Sequence, residues 1–160
     1  KAIVFVTTCA SVDFFISTMP FLSQLQDTQF VALHGKMTQK CRERAFDEFN
    51  KASTEKQGCV LICTDVAARG LDVPDVSWIV QFDPPKEPDF FVHRVGRTAR
   101  AGRSGKALIL LLEEELEFVD FLTVKGIPIT ELNENKEEEK TKIKTKKKDF
   151  LDLGNRKPKR

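Results

Sequence analysis

The chain has 160 residues, of which 41% are hydrophobic, with 26 Lys and Arg against 24 Asp and Glu. This length fits one globular domain with a packed core, and no apolar run approaches the roughly 18 residues of a membrane span. We therefore predict no membrane segment and no signal peptide. Residues 1–132 carry a net charge of −3 and residues 133–160 a net charge of +5, so anion binding by the first part must come from local clusters.

Short apolar runs alternate with segments of helical period along the first 132 residues. The predicted strands are Ala2–Val6, Phe30–Leu33, Cys59–Cys63, Trp78–Phe82, Lys106–Leu112 and a short final Ile127–Leu132. The predicted helices are Ser11–Leu25 with a break at Pro20, Thr38–Asn50 with Thr38 as its N-cap, Pro88–Arg100, and Glu113–Lys125 ending at Gly126. Continuously apolar strands separated by helices predict an α/β fold of three layers, with a mostly parallel central sheet and helices on both faces.

The last 28 residues have a different composition. Residues 133–160 are dense in charge and poor in apolar side chains, so much of this basic tail is expected to be disordered or ordered only by a partner. Phe150, Leu151 and Leu153 could form a small docking spot. We therefore predict a folded domain over residues 1–132 and a basic low-complexity tail over residues 133–160.

The four cysteines give no sign of a metal site. Cys9, Cys41, Cys59 and Cys63 contain no CxxC pair, and the chain has only two histidines, so zinc is not predicted. Cys59 and Cys63 are four residues apart in an apolar strand, which places them on one face. We expect reduced, buried thiols in an intracellular protein.

The segment His93–Arg100 is the clearest candidate for chemistry. If it is helical, Arg94, Arg97 and Arg100 form a basic stripe on one side, and converging guanidiniums are suited to phosphate because each planar fork pairs two oxygens. The alternative is a solvated charged face. The absence of interleaved acids and the helix-weakening Gly96 favour a functional role.

Three other polar segments follow predicted strands, at the edge of a parallel sheet where ligands bind. The sequence TDVAARGLD at 64–72 could be a polar site or an ordinary loop with a capping Asp. His34-Gly35-Lys36, followed by Gln39 and Arg42, would allow close approach of a phosphodiester, but taken alone a structural role is favoured. Thr7-Thr8 could donate hydroxyls to phosphate or cap the next helix.

The sequence does not contain the parts of a self-sufficient nucleotide site. No GxxxxGK[ST] phosphate loop is found, and no adjacent carboxylate pair follows a strand to hold magnesium. Any nucleotide bound by this chain therefore needs another surface to hold its phosphates.

Taken together, these segments resemble the C-terminal RecA-like domain of DEAD-box RNA helicases of superfamily 2. IVFVTT resembles motif IV, Gln39 and Arg42 match the family's QxxR, TDVAARGLD resembles motif V, and HRVGRTAR resembles motif VI. The resemblance covers about residues 1–132, with four motifs in order. Two departures are Ala99, where many members have Gly, and Lys36 in place of a frequent Asp.

The resemblance implies roles for individual residues. Arg97 and Arg100 match the catalytic arginine fingers that reach the nucleotide's terminal phosphates, Asp72 matches the residue at the nucleotide ribose, and His93 and Arg94 match residues that couple the domain to its partner domain. The RNA backbone would be contacted or supported by six matching residues, which are Thr8, Gly35, Gln39, Arg42, Thr64 and Arg69. No metal ligand is implied in this chain.

The resemblance also implies partners that this chain does not contain. The family's N-terminal RecA-like domain, with its P-loop and DEAD motifs, is not in the sequence, nor are the strand and helix that usually precede motif IV. We therefore expect this chain to be part of a longer protein. ATP with Mg²⁺ would be held mainly by that N-terminal domain, and this chain alone would be inactive.

The predicted function is the C-terminal half of an ATP-dependent RNA helicase that separates short duplexes. The stretch DVSWIVQFDPP and the basic tail look most like helicases of nucleolar ribosome assembly, which implies pre-rRNA as the RNA and the nucleus, more narrowly the nucleolus, as the location. Two alternatives are a non-catalytic RNA-binding module and a DNA-directed superfamily 2 motor. The upstream coding sequence would test the first, and stimulation by RNA against DNA would test the second.

Overall fold

The computed structural model describes residues 1–53, 57–65, 76–99 and 104–132, together with the backbone of 150–151. Six strands and four α-helices are found in this part of the chain. The strands are β1 (Ala2–Phe5), β2 (Thr28–Leu33), β3 (Gly58–Cys63), β4 (Trp78–Gln81), β5 (Lys106–Ile109) and β6 (Phe150–Leu151). The helices are α1 (Cys9–Thr18), α2 (Gln39–Lys51), α3 (Asp89–Val95) and α4 (Glu117–Val124), with short 3-10 turns at Met19–Phe21, Ser23–Leu25 and Glu113–Glu115.

The strands form one sheet in the order β2-β3-β1-β4-β5-β6. The first five strands in this order pair in parallel, and β6 pairs antiparallel with β5. β1 lies in the middle, because strands β3 and β4 pair with its two sides. All five parallel strands therefore end at the same edge of the sheet, as the sequence predicts.

Helices pack on both faces of the sheet, but unequally. The larger core lies under α2, α3 and α4, where Phe49, Phe91 and Leu122 are buried against strand residues that include Cys59 and Cys63. The smaller core lies under α1, where Val12 packs with Val6 and Ile62. The three-layer α/β fold is thus confirmed, and Cys59 and Cys63 do share one buried face.

Local sequence signals explain where the first two long helices begin and end. The hydroxyl of Thr8 caps α1 by accepting from the Ser11 amide at 3.0 Å, and Thr38 caps α2 by accepting from the Cys41 amide at 3.3 Å. Pro20 breaks the predicted Ser11–Leu25 helix, because it lies in the 3-10 turn that follows α1. Side chains of the Ser, Thr and Asp type satisfy the free amides of a helix's first turn.

Two predicted elements are wrong. The Ile127–Leu132 segment is not a strand: Ile127 and Ile129 pack against the larger core from irregular backbone, and Pro128 between them has no N–H to offer a neighbouring strand. The predicted Glu113–Lys125 helix is divided at Leu116 into a 3-10 turn and α4. Its predicted end is confirmed, because Gly126 takes a left-handed φ of +68°.

The predicted helix Pro88–Arg100 is shorter than expected, because α3 ends at Val95. The Gly96 amide still donates to the Val92 carbonyl, but the next amides bond only three residues back and the chain turns away. The prediction that Arg94 and Arg97 lie on one helical face is therefore wrong, because Arg97 lies beyond the helix. Arg100, the third member of the predicted basic stripe, lies outside the described residues.

The basic tail contributes one short element to the sheet. The backbone of Phe150–Leu151 pairs with Ala107 and Leu108 of β5, so this part of the tail contacts the domain where the sequence suggested a docking spot. An edge strand has unpaired N–H and C=O groups, and β6 covers part of that edge of β5. Within the described residues, no helix combines the length and the apolar character needed to cross a bilayer.

Candidate nucleic-acid and nucleotide interface

Three of the predicted RNA-contacting residues follow three adjacent strands at the carboxyl edge of the sheet. Gly35 follows β2, Thr64 follows β3, and Thr8 follows β1, and these strands are neighbours in that order. Neighbouring strands are about 4.8 Å apart, so the three strand ends form a row roughly 10 Å long. The Thr64 amide donates to the Leu33 carbonyl at 3.2 Å, which joins the first two ends of this row.

The residues of the row differ in exposure. Gly35 and Thr8 are exposed, whereas Thr64 is only 9% exposed. The Thr8 hydroxyl is engaged as the cap of α1 and also shares a hydrogen bond with the Ser11 hydroxyl at 2.7 Å. Of the two roles suggested for Thr8 by the sequence, helix capping is therefore observed, and contact with RNA stays a prediction.

Gln39 and Arg42 lie on the first turn of α2, which also begins at this edge. The Arg42 guanidinium donates to the Gln39 side-chain oxygen at 2.7 Å, and the Gln39 amide donates to Glu43 at 2.8 Å. The QxxR spacing thus places both side chains on one side of the helix, in contact with each other. The amino-terminal end of a helix carries partial positive charge, and Arg42 adds a full charge beside it.

His34 lies between this row and α1. It is 8% exposed, and its Nε2 is 3.2 Å from Oδ1 of Asp13 on α1. This contact ties the end of β2 to α1 directly before Gly35. Lys36 is exposed at the same turn. The His-Gly-Lys sequence therefore combines one residue that fixes the turn with two that remain on the surface.

Arg94, on helix α3, connects the ends of strands β3 and β4 through its side chain. Its side chain is fully buried and forms a two-pronged ion pair with Asp65, at 2.6 Å from Nε to Oδ1 and 3.1 Å from Nη2 to Oδ2. Nη1 donates to the Gln81 side chain at 3.2 Å and to the Asp83 carbonyl at 3.0 Å. The guanidinium also lies 5.1 Å from the centre of the Phe5 ring, so it spans the end of β1 and joins β3 to β4.

This burial corrects the interpretation of Arg94 from the sequence. Asp65 supplies the acid that is missing beside the arginines in the sequence, because it follows strand β3 and is brought to Arg94 by the fold. Arg94 has no exposed surface in this conformation, and its observed contacts lie within the domain, so a role in coupling to a partner domain stays a prediction. His93, by contrast, is exposed, with its ring packed edge-on against Phe90.

Arg97 lies directly after α3, partly exposed, and its Nε donates to the His93 carbonyl at 3.3 Å. The turn that carries it is held tightly. The Thr98 hydroxyl donates to the Val76 carbonyl, and Ala99 adopts a left-handed φ of +57°. This conformation costs about 1 kcal/mol with a Cβ, so glycine at this position would relieve the strain.

Gly105 lies against the same turn. A Cβ at this position would be 2.1 Å from the Thr98 hydroxyl oxygen and 2.6 Å from the Ala99 amide nitrogen. Glycine is therefore required for the strand β5 to approach the turn after α3. The geometry fixes the backbone around Arg97 from two sides.

Cys63, at the end of β3, interacts electrostatically with the Arg94 cluster. Burial raises the pKa of the Cys63 thiol, and the positive charge of Arg94 opposes this only in part. Burial also raises the pKa of Cys59. Both thiols therefore remain protonated, and all four cysteines are free, although Cys41 is exposed rather than buried as expected. Among the described residues, no cluster suited to a metal ion is present.

Three predicted site residues lie outside the described residues, and these are Arg69, Asp72 and Arg100. Conversely, sequence reasoning named Asp65 only as part of the candidate segment at 64–72, and it missed Gln81 and Asp83. A signal was available for the two acids, because each stands two residues after an apolar strand, at the edge where the other candidates were sought.

A family model described as "Helicase conserved C-terminal domain" matches residues 1–102. This chain belongs to that family. Within this family, the chain is a helicase domain of the DEAD-box type. It is 45% identical over 131 residues to DEAD-box ATP-dependent RNA helicase 49 of Arabidopsis thaliana, with 82% of this chain and 23% of the relative covered. It is 42% identical over 134 residues to the ATP-dependent rRNA helicase SPB4 of Meyerozyma guilliermondii, with 82% and 22% covered.

Solved structures agree with this assignment. Domain 2 of the DEAD-box helicase Mss116p, bound to an RNA duplex, superposes with a TM-score of 0.71 and 35% identity, over 80% of this chain and 48% of that chain. The E. coli DEAD-box protein SrmB, bound to a regulator of ribonuclease activity, gives a TM-score of 0.62 and 36% identity, over 75% and 66%. The helicase domain described here spans about a fifth of the length of the curated relatives it matches.

Proposed function

We propose that this domain is the C-terminal half of an ATP-dependent RNA helicase, which provides RNA-backbone contacts and arginine fingers for ATP hydrolysis and local duplex unwinding. The observation that carries the proposal is the meeting of two sets of residues at one edge of the sheet. The row of strand ends with Gly35, Thr64 and Thr8 lies beside the buried Arg94 cluster that precedes Arg97.

The RNA side of the proposal is supported by the chemistry of the groups along and beside the row. Hydroxyl groups, a glycine backbone, the amino-terminal end of α2 and the guanidinium of Arg42 all suit phosphate oxygens. Such contacts carry no base information, so the binding is independent of sequence. Thr8, Gly35, Gln39, Arg42 and Thr64 would serve on this side together with Arg69.

The nucleotide side of the proposal needs a second domain. Arg97 and Arg100 would stabilise the charge that develops on the transferring phosphoryl group. Asp72 would hold the ribose, and His93 and Arg94 would couple this domain to the partner domain. ATP and Mg²⁺ would be held mainly by an N-terminal RecA-like domain of the same protein.

The biological setting is part of the proposal. SPB4 is named as an rRNA helicase, and this chain shares 42% identity with it over the matched region. We therefore infer that the RNA is pre-rRNA, that the process is ribosome assembly, and that the location is the nucleus and its nucleolus.

The test uses the two-domain protein and two single substitutions. Arg97→Ala is expected to lower RNA-stimulated ATP turnover about 10³-fold, the magnitude typical of a lost arginine finger, with RNA affinity nearly unchanged. Arg42→Ala is expected to weaken RNA binding, with nearly normal turnover at saturating RNA. Steady-state hydrolysis and fluorescence anisotropy of a labelled RNA measure the two effects.

Three outcomes would contradict the proposal. If Arg97→Ala abolished RNA binding while turnover stayed intact, the assignment of the two sides would be reversed. A wild-type protein that binds RNA without hydrolysing ATP would favour the non-catalytic binding module. Stimulation by DNA in place of RNA would favour the DNA-directed motor.

A further inference from the structure

Asp83 is a half-buried carboxylate at the end of β4, and the family resemblance assigns it no role. One of its oxygens, Oδ2, accepts two hydrogen bonds from Thr7: from the backbone amide at 3.0 Å and from the hydroxyl at 3.2 Å. Thr7 lies between β1 and the capping residue Thr8. Asp83 therefore holds the turn from which the proposed RNA contact Thr8 begins.

The same residue also contacts the Arg94 cluster through its main chain. The Asp83 carbonyl accepts from Nη1 of Arg94 at 3.0 Å, and the opposite side of that guanidinium is paired with Asp65, next to Thr64. Hydrogen bonds thus connect the strand ends that carry Thr8 and Thr64 to helix α3, which precedes Arg97. Asp83, Arg94 and Asp65 form this chain of contacts. Asp83 lies at the junction, with its carboxylate towards the RNA side and its carbonyl towards α3.

The carboxylate is well suited to this position on physical grounds. The Thr7 amide precedes the first turn of α1, so no carbonyl of that helix is available to it. A hydrogen bond to an ionised acceptor is roughly twice as strong as a neutral one, and two donors on one oxygen fix both the backbone and the side chain of Thr7. A neutral acceptor would satisfy the same groups with less rigidity.

We propose that Asp83 is a positioning residue that holds the Thr7–Thr8 turn in the geometry that binds RNA and links this turn to the Arg94 cluster. The proposal rests on the proposed function, because its effect is expressed through RNA binding. In this role Asp83 itself touches neither RNA nor nucleotide.

The experiment measures RNA-stimulated ATP hydrolysis by the two-domain protein as a function of RNA concentration. The variants are Asp83→Ala, Asp83→Asn, Thr7→Val, Thr7→Ser and the double variant Asp83→Ala with Thr7→Val. The matched control is Asp47→Ala, which removes an exposed carboxylate on the last turns of α2, 3.4 Å from Lys51. Melting temperatures are recorded for every variant.

Asp83→Ala is expected to raise the RNA concentration for half-maximal hydrolysis about tenfold, with turnover at saturating RNA within about twofold of wild type. Asp83→Asn and Thr7→Val are expected to raise it about threefold, and Thr7→Ser should restore the wild-type value because it keeps the hydroxyl. The double variant should be no worse than Asp83→Ala, since Thr7→Val removes only the hydroxyl contact, which Asp83→Ala already removes together with the amide contact. Asp47→Ala should behave as wild type.

Two results would overturn the role of Asp83 while leaving the proposed function intact. One is an unchanged RNA requirement in Asp83→Ala. The other is a fall in turnover that follows the melting temperature and is equal in Asp83→Ala and Asp83→Asn, which would make the residue merely structural. If wild-type protein showed no stimulation by RNA, the proposed function would itself be wrong, and the role of Asp83 with it.

Discussion

Replacing Arg94 tests whether the buried ion pair is the main internal connection of this domain. Arg94→Met keeps most of the side-chain volume and removes the charge and all five donors. In the wild-type protein the guanidinium donates to both oxygens of Asp65, to Gln81 and to the Asp83 carbonyl. All of these acceptors remain in the variant without their donor.

The expected loss of stability follows from the burial of each group. Removing one partner of a buried ion pair costs about 3–5 kcal/mol. The side chain of Asp65 is 36% exposed, so water can solvate its carboxylate in the variant, and the lower end of about 3 kcal/mol applies. The buried oxygen of Gln81 also loses its donor, which adds about 1 kcal/mol. We expect a total of about 4 kcal/mol.

The assay is urea unfolding of the 160-residue chain, followed by circular dichroism. The expected lowering of the unfolding free energy corresponds to a fall in melting temperature of roughly 8–16 °C for a domain of this size. Arg44→Met is the matched control, because Arg44 is exposed on α2, and it should change the free energy by less than about 0.5 kcal/mol. Arg94→Lys should lie between, since it keeps the charge but loses the fork.

A loss below about 1 kcal/mol in Arg94→Met, relative to the control, would refute this reasoning. It would mean that the strand ends are held by backbone pairing alone. The Arg94 cluster would then not explain how the two halves of the site are fixed relative to each other.

Three further predictions follow from the same structure and sequence. Gly105→Ala should lower the unfolding free energy by about 3 kcal/mol in thermal melts, because a Cβ would displace Thr98 and its bond to the Val76 carbonyl. A variant as stable as wild type would contradict the close approach of Gly105 to Thr98. Truncation after Leu132 should weaken RNA binding and reduce its dependence on salt, because residues 133–160 carry a net charge of +5. If the RNA affinity of the truncated protein changed with salt concentration as steeply as that of the full chain, the tail would have no role in binding. The 160-residue chain alone should show no ATP hydrolysis with any RNA, since its sequence has no P-loop. Addition of the separate N-terminal domain should restore some turnover. Hydrolysis by the pure chain that disappears in Arg97→Ala would overturn this expectation.

The sequence correctly identified the elements whose signals are local. Continuous apolar runs predicted the five parallel strands, Thr38 and Gly126 marked helix ends, and Pro20 marked a break. These features depend on side-chain chemistry within a few residues, so they can be read from neighbouring positions alone. The positions of Gly35, Thr64 and Thr8 at one edge follow from the parallel arrangement of their strands.

The different environments of Arg94 and Arg97 could be known only from the tertiary structure. In the sequence, Arg94 and Arg97 look equivalent, three residues apart in a presumed helix, with no acid nearby. In the fold, the helix ends between them, Arg94 is buried against an acid that is 29 residues away in the chain, and Arg97 remains partly exposed. Long-range pairing of this kind depends on which strands are neighbours, and the hydrophobic periodicity of the sequence does not indicate it.

Sequence by itself therefore determined the α/β class, the order of the strands along the chain and the edge at which the site forms, because hydrophobic pattern and turn chemistry act locally. Only the tertiary structure decided which polar residues are joined across that edge. The placement of β1 between β3 and β4 brings Asp65, Asp83 and Arg94 together, and a buried charge must be paired with whatever the neighbouring strands supply.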